Sequence, residues 1–580
     1  MCGIAGIFKP NSNISERDKV ILKNMVHTIK HRGPDDEGVY ESNHCLMGHR
    51  RLAIIDLVRG RQPMFNEDKS IVLTYNGEIY NYKELREILA GCGHRFFTES
   101  DTEVIIHAYE EWQENCFIKF DGMFAIAIFD NNNKTLLLAR DRLGMKPLYY
   151  WYKKNILLWG SEIKAILCYE EVKPYPEQRT ICDFVTFQNT IDEKTFFKDI
   201  VKLQPGYFAK INDRSFEIAK YWDLDFSNQY AFKGINETLG IYENTFRNAV
   251  KRHLVSDVEI GSCLSGGFDS PSVAFWASRF LSYPLKTFTG FFAGKKYDER
   301  NVTRVFNRLI NAQGKEVEIT ARDFRENIER VIYHLDEPTL GSGALPGYMV
   351  AKEASKFVKV VLTGHGGDEL FAGYQVYKAS FYKDLLKTNP LQFLGYFWKN
   401  RLDEIGKILY FSFAPFLYNE VKYGLFNMFS QGQRDKLFTK DFLRSIKGYS
   451  PLENLESKYL NGKKFTNTER TLYLYLKTYL PTLFIQEDKV GMAHSIESRM
   501  PICDNEMIKL ATQIPYQFKL YRNNLKYLTN TIMKQYLPED FYKQPKMGFP
   551  TPIAIWFSRE LKDFIYDFLI SKQTKDNGIF

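Results

Sequence analysis

Cysteine is scarce and unpaired. The eight cysteines among 580 residues (2, 45, 92, 116, 168, 182, 263 and 503) never fall as Cys-x-x-Cys. That spacing offers neither a zinc cluster nor a disulfide framework, and a reducing cytoplasm is the expected compartment. No apolar run reaches the roughly 18 residues of a membrane-spanning helix, and no signal-peptide pattern opens the chain. Lys and Arg form no long run. The net charge of +8 is spread among interspersed charges of both signs, which is the pattern of a solvated surface rather than of a nucleic-acid or membrane footprint. The P-loop pattern Gly-x-x-x-x-Gly-Lys-[Ser/Thr] is also missing, which excludes that route to nucleotide phosphate.

What is present is a soluble globular composition, 44% hydrophobic and 26% charged. A chain of 580 residues is too long for one ordinary core, so at least two domains are expected. The most telling stretch is Ser265-Gly266-Gly267-Phe268-Asp269-Ser270. Before it, 258–264 reads as a buried strand; after it, 272–277 reads as the start of a helix. A strand, a Gly-Gly turn and a helix N-terminus make an anion site, because backbone N–H groups and the helix dipole face negative oxygens. The six residues resemble the Ser-Gly-Gly-x-Asp-Ser loop of ATP pyrophosphatases, which split ATP into AMP and pyrophosphate.

A second group of motifs fills the N-terminal third. Cys2 would become the first residue after removal of Met1, placing its own α-amine, with a typical pKa of about 7.7–8, beside its thiol. A neutral amine there can act as general base. His31-Arg32-Gly33-Pro34-Asp35 follows, then His49-Arg50-Arg51-Leu52, Tyr75-Asn76-Gly77-Glu78, Ser100-Asp101-Thr102-Glu103, Asp121-Gly122-Met123-Phe124 and Ala139-Arg140-Asp141-Arg142. Short β-rich runs alternate with turn signals. Taken alone, Asn76-Gly77 is an ordinary hairpin signal. In order and spacing the set resembles the class II glutamine amidotransferase domain, an N-terminal-nucleophile hydrolase of four α/β/β/α layers. The resemblance implies Cys2 as nucleophile and Asn76 with the Gly77 N–H as oxyanion hole. It also implies Arg51 on the glutamine α-carboxylate, and Asp101 with Glu78 on its α-amine.

The rest of the chain alternates strand-like and helix-like runs, as in an α/β domain with a mostly parallel sheet. Residues 287–291 and 358–362 read as strands. The second feeds Thr363-Gly364-His365-Gly366-Gly367-Asp368-Glu369, and Glu497-Ser498-Arg499-Met500-Pro501 and Lys543-Gln544-Pro545-Lys546-Met547-Gly548-Phe549 come later. Together these resemble the synthetase domain of glutamine-hydrolysing asparagine synthetases. The implied division is 1–210 glutaminase, 211–235 linker and 236–580 ATP-pyrophosphatase-type synthetase with inserted helices. The implied ATP contacts are Leu264, Ser265, Gly266, Gly267, Asp269, Ser270, Gly290 and Gly364. Asp269 and Asp368 would hold Mg²⁺, and Lys546 would stabilise charge on the α-phosphate. Glutamine, ATP and aspartate are the implied substrates. A homodimer is expected from the resemblance alone.

Four features stand out. His365 occupies the place where most of the family has Glu; its ring could act as base, since unperturbed imidazole titrates near about 6.5, or could recognise a different acceptor. Acceptors of paralogues include uronic acids of surface polysaccharides and natural-product acids. Pro271 replaces a serine after the loop, tolerable in a first helical turn where an N–H is spare. Residues 375–480 carry many aromatics, as at 411–418, and are expected to form an inserted helical core rather than a partner or membrane face. The C-terminus is expected to be one or two helices short. A catalytically dead binding protein is the contrasting class, opposed by intact Cys2, Asp269, Asp368 and Lys546.

Overall fold

The computed structural model describes residues 2–227, 230–294, 298–398, 405–406, 409–410, 422–425, 427–542 and 551–580. Lys546 and the aromatic stretch 411–418 lie outside the described residues.

Strand Gly3–Phe8 is buried at every position. Its alternate side chains serve two different cores. Ile4 and Phe8 pack with Phe129, Leu138 and Trp159 between two sheets, whereas Ala5 and Ile7 pack with Ile21, Leu22, Met25 and Val26 of helix Glu16–Thr28. A strand buried on both faces needs a continuous apolar run, which is what this stretch supplies. Full burial of each Ile or Phe stabilises by about 1.5–3 kcal/mol. A Cβ on Gly6 would lie 2.0 Å from the Trp159 ring, so only glycine lets the indole cross the strand.

Gly3–Phe8 sits inside a six-stranded antiparallel sheet, between Cys45–Arg51 and Ile156–Gly160. The second six-stranded sheet pairs Ile71–Ile79 with Gly122–Asp130 along nine residues. Helix Asp101–Trp112 covers its outer face with Val104, Ile105 and Ala108 buried. The expected helix–sheet–sheet–helix layering is therefore found. Asn76-Gly77 is not a hairpin turn here; it runs mid-strand, with Asn76 opposite Ala125 and Gly77 opposite Phe124. The second sheet also continues beyond residue 210. Tyr207–Ile211 pairs with Phe216–Lys220, so the first part of the expected linker is an edge strand.

The second domain is built on five parallel strands in the order Gln313–Glu318, Lys286–Phe291, Ile260–Cys263, Val360–Leu362, Glu497–Arg499. Chain order runs outward in opposite directions from Ile260–Cys263. The gap between Ile260–Cys263 and Val360–Leu362 is thus a topological switch point, where open α/β sheets bind ligands at the carboxyl ends of their strands. Helices Gln375–Thr388, Asn467–Leu474 and Leu480–Met492 form the inserted core, with Tyr377, Leu385, Leu472 and Phe484 buried.

The domains meet through buried charge. Arg32 is fully buried and donates to Glu162 Oε1 at 3.0 Å in its own domain and to Asp488 Oδ2 at 2.8 Å across the interface.

Candidate functional site

Cys2 lies at the entrance to strand Gly3–Phe8 and is 8% exposed. Its backbone N–H donates to Asn76 Oδ1 at 3.0 Å, and its carbonyl accepts from Arg32 Nε at 3.0 Å. Asn76 Nδ2 is buried and has no hydrogen-bond partner among the described residues. A buried donor left idle costs stability, and this one belongs to a side chain pinned by the Cys2 N–H. Gly77 admits no side chain, because a Cβ would meet the Met123 carbonyl oxygen at 2.0 Å. Burial pushes the Cys2 thiol up. The N-terminal charge, a hydrogen bond at the Leu52 backbone and Arg51 pull it back.

The other residues singled out in this domain surround that point. The Arg51 guanidinium is aimed by a loop: Nη1 donates to Leu57 O at 3.1 Å, and Nη2 to Ile55 O at 3.2 Å and Asp56 O at 2.6 Å. Asp101 is the first residue of helix Asp101–Trp112, capped by Ser100. Its Oδ2 accepts from the Tyr75 hydroxyl and from the Ile79 N–H, each at 3.0 Å. Burial raises the Asp101 carboxyl against those two bonds. Glu78, also buried, is raised by burial and by Glu497. Its partner is Arg499 Nη2, 3.2 Å away in the other domain.

The second site lies at the switch point. Helix Asp269–Phe280 starts without a side-chain cap, so its first N–H groups stay available. The Ser265 N–H donates to Ser270 Oγ at 2.9 Å, folding the loop back on its own hydroxyl. The Gly266 N–H donates to Glu299 Oε2 at 2.7 Å. A carboxylate therefore already sits on a loop N–H, which is what an anion cradle requires. Pro271 is accommodated in the first turn of the helix.

Gly364 closes on the loop from the neighbouring strand; a Cβ there would lie 2.5 Å from Ser270 N. Gly366 has φ +90° and would place a Cβ 2.1 Å from Cys503 Sγ. These glycines bring Asp368 opposite Asp269. The Lys526 ammonium contacts the Asp269 carboxylate and lies 2.8 Å from Asp368 Oδ1. Space around both acids is tight, since a Cβ on Gly367 would meet Asp269 Oδ1 at 2.4 Å and one on Gly373 would meet Asp368 Oδ1 at 1.9 Å. Two hard carboxylates, already gathered around a positive charge beside a phosphate-type loop, suit Mg²⁺.

These groups line one open cleft of about 1340 Å³. Leu264, Ser265, Gly267, Asp269, Ser270, Gly290, Gly364, His365 and Asp368 all face it. Gly266 is not part of the lining. Its N–H is the one Glu299 covers. His365 Nδ1 is 2.9 Å from Thr363 Oγ1. Tyr374, Tyr475 and Tyr479 form an aromatic wall, and Gln375, Gln486 and Glu487 supply polar groups. Among the described residues, no Lys or Arg lines the cleft.

Two residues to which no motif assigns a role matter here. Lys526 gave no motif to find it by. Arg499 lies in a quoted motif, but its reach to Glu78 crosses between domains.

Similarity to known proteins follows the same division. The family described as "Glutamine amidotransferase domain" matches residues 1–222, and that described as "Asparagine synthase" matches residues 242–580. Asparagine synthetase [glutamine-hydrolyzing] 1 of Bacillus subtilis is 30% identical, covering 99% of this chain and 90% of its own. Asparagine synthetase [glutamine-hydrolyzing] 3 of the same organism is 28% identical over 99% and 93%. Amidase chyE of Penicillium rubens is 27% identical over 96% and 89%.

Proposed function

This chain belongs to the family of glutamine-hydrolysing asparagine synthetases, ligases that make an amide with nitrogen taken from glutamine, and we propose that its acceptor is aspartate. Cys2 attacks the glutamine side-chain carbonyl once Met1 is removed, and its own α-amine takes the thiol proton. Asn76 Nδ2 and the Gly77 N–H receive the developing oxyanion. Arg51 binds the glutamine α-carboxylate with its planar fork, and Asp101 and Glu78 face the α-amine. Ammonia leaves, and water hydrolyses the γ-glutamyl thioester.

In the second domain the acceptor carboxylate attacks the α-phosphorus of ATP and pyrophosphate departs. Ser265, Gly267 and Ser270 hold the pyrophosphate, while Gly266, whose N–H Glu299 covers, shapes the turn. Asp269 and Asp368 would hold Mg²⁺, which neutralises phosphate charge when bound. Lys546 would stabilise the α-phosphate. Ammonia then attacks the acyl-AMP carbonyl, His365 takes its proton, and AMP leaves. The observation that carries this reading is the idle, buried Asn76 donor beside Cys2, combined with two carboxylates facing each other at a pyrophosphate-type loop.

A second acceptor class is favoured by one observation. Tyr374, Tyr475 and Tyr479 wall part of the cleft, with Gln375 and Gln486 also in its lining. A bulkier hydroxylated acid, such as a uronic acid, matches that lining. The test is AMP release by the purified protein with ATP, Mg²⁺ and glutamine, with aspartate or glucuronic acid added. Aspartate-dependent AMP and asparagine support the first reading. AMP release with glucuronic acid alone replaces it with the second.

A further inference from the structure

Away from both sites, the end of helix Tyr82–Gly91 and the helix Asp101–Trp112 bring two imidazoles and a carboxylate together. His107 Nδ1 lies 2.8 Å from Glu110 Oε2, and His94 Nδ1 lies 3.5 Å from the same oxygen. Ligand atoms of the three residues all lie within 4.8 Å of one another. Zn²⁺ with bonds of about 2.0–2.1 Å in a tetrahedron separates its ligand atoms by about 3.3 Å. The distances to Glu110 bracket that value, so small side-chain shifts close the site. We propose that His94, His107 and Glu110 bind a divalent first-row cation, with Zn²⁺ the best fit, and that it fastens the segment 92–100 onto helix Asp101–Trp112.

The surroundings have the layout of a built site. His107 and Glu110 are three apart on one helix, hence neighbours on one face, while His94 comes from the preceding loop. His107 is 2% exposed. Its other nitrogen, Nε2, makes no hydrogen bond and faces Glu103 Oε1 at 3.8 Å. Glu103 is itself fixed by the Phe97 N–H at 2.8 Å and the Thr98 N–H at 2.7 Å. That carboxylate lies behind the ring, where a ligating imidazole usually finds its orienting partner. Glu110 is oriented in turn by Asn66 Nδ2, which donates to its Oε1 at 2.9 Å. Glu111 Oε2 lies 3.3 Å from His94 Nε2. A nitrogen–nitrogen–oxygen donor set suits Zn²⁺ over Mg²⁺ or Ca²⁺, which take oxygen. Three protein ligands leave the fourth position for water.

Three carboxylates face the two imidazoles, Glu103 and Glu110 beside His107 and Glu111 beside His94.

The site also touches the chemistry at one remove. Glu99 N–H donates to Asp56 Oδ2 at 2.8 Å, and Arg59 Nη1 to Phe97 O at 3.1 Å. Segment 92–100 is thereby tied to the loop whose carbonyls aim Arg51. Occupancy is expected to lower KM for glutamine and to leave ammonia-dependent synthesis unchanged.

The test uses full-length Cys2→Ala protein, which removes the competing thiolate, stripped with chelator and dialysed against Zn²⁺ in excess Mg²⁺. Metal analysis and calorimetry are expected to show about one zinc per chain with micromolar or tighter Kd. His94→Ala and Glu110→Gln, each verified as folded by circular dichroism, should bind at least about tenfold more weakly. Equal binding in both variants overturns the assignment. So does a parent protein that retains no zinc. Neither result depends on the acceptor of the ligase reaction.

Discussion

Arg499, on the edge strand of the parallel sheet, ends 3.2 Å from Glu78 of the first domain, and its Nε donates to Glu497 Oε1 at 2.6 Å. All three are buried. One guanidinium from the synthetase domain thus contacts a carboxyl of each domain. Burial opposes ionisation of Glu497, but the N-terminal charge, Arg499 and Lys146 outweigh it and hold that carboxyl at about 2. Breaking such a group by removing one partner typically costs roughly 3–5 kcal/mol. Arg499→Gln should lower stability by that order in urea unfolding and raise KM for glutamine. An unchanged KM would separate Glu78 from glutamine binding.

Asn76→Ala removes the amide proposed to hold the oxyanion. The expected loss is about 10²–10³ in kcat for glutamine hydrolysis with KM little changed. Amide synthesis from added ammonia should persist, because the second site is untouched. A rise in KM with kcat intact would assign Asn76 to ground-state binding instead.

Lys526→Met should abolish pyrophosphate release while glutamine hydrolysis continues. Its ammonium joins Asp269 and Asp368, and without it two partly buried acids face each other. Retained synthesis in this variant would show that bound metal alone suffices to hold the acids.

Much of this was legible in the sequence, and the rest has a physical reason for being hidden. Ser265–Ser270 declares itself because loop, strand and helix are contiguous. Cys2, Arg51, Asn76 and Asp101 are recognisable as an ordered series. Asn76-Gly77 reads locally as a turn, yet pairing along nine residues of Ile71–Ile79 with Gly122–Asp130 overrides that preference. Glu497–Arg499 is a three-residue strand of charged and polar residues, which no hydrophobic period could disclose. Lys526 is 257 residues from Asp269, and only the folded chain brings the two together.

His334 and His494 give the stability a pH slope. Both pack near His31 where the domains meet: the His31 and His334 rings lie 4.5 Å apart, and Ser495 Oγ donates to His31 O at 2.7 Å. Burial, with His31 adding to it, pushes each imidazole down to about 4. A depressed folded value favours the neutral ring, so their stability is present above about 6.5 and is lost as pH falls through about 4. Tm should therefore drop between about pH 7 and pH 5, and His334→Asn/His494→Asn should flatten that slope. A slope of equal size in the double variant would place its origin elsewhere.

The central claim is that nitrogen released at Cys2 is joined to a carboxylate activated at Asp269 and Asp368. The direct measurement supplies glutamine labelled with ¹⁵N in its side-chain amide, together with ATP, Mg²⁺ and aspartate, and follows product and pyrophosphate together. The account predicts ¹⁵N in the side-chain amide of asparagine, equimolar with pyrophosphate and absent from Cys2→Ala. Labelled ammonia released without pyrophosphate or labelled amide, with aspartate and with every other carboxylate supplied, would contradict it.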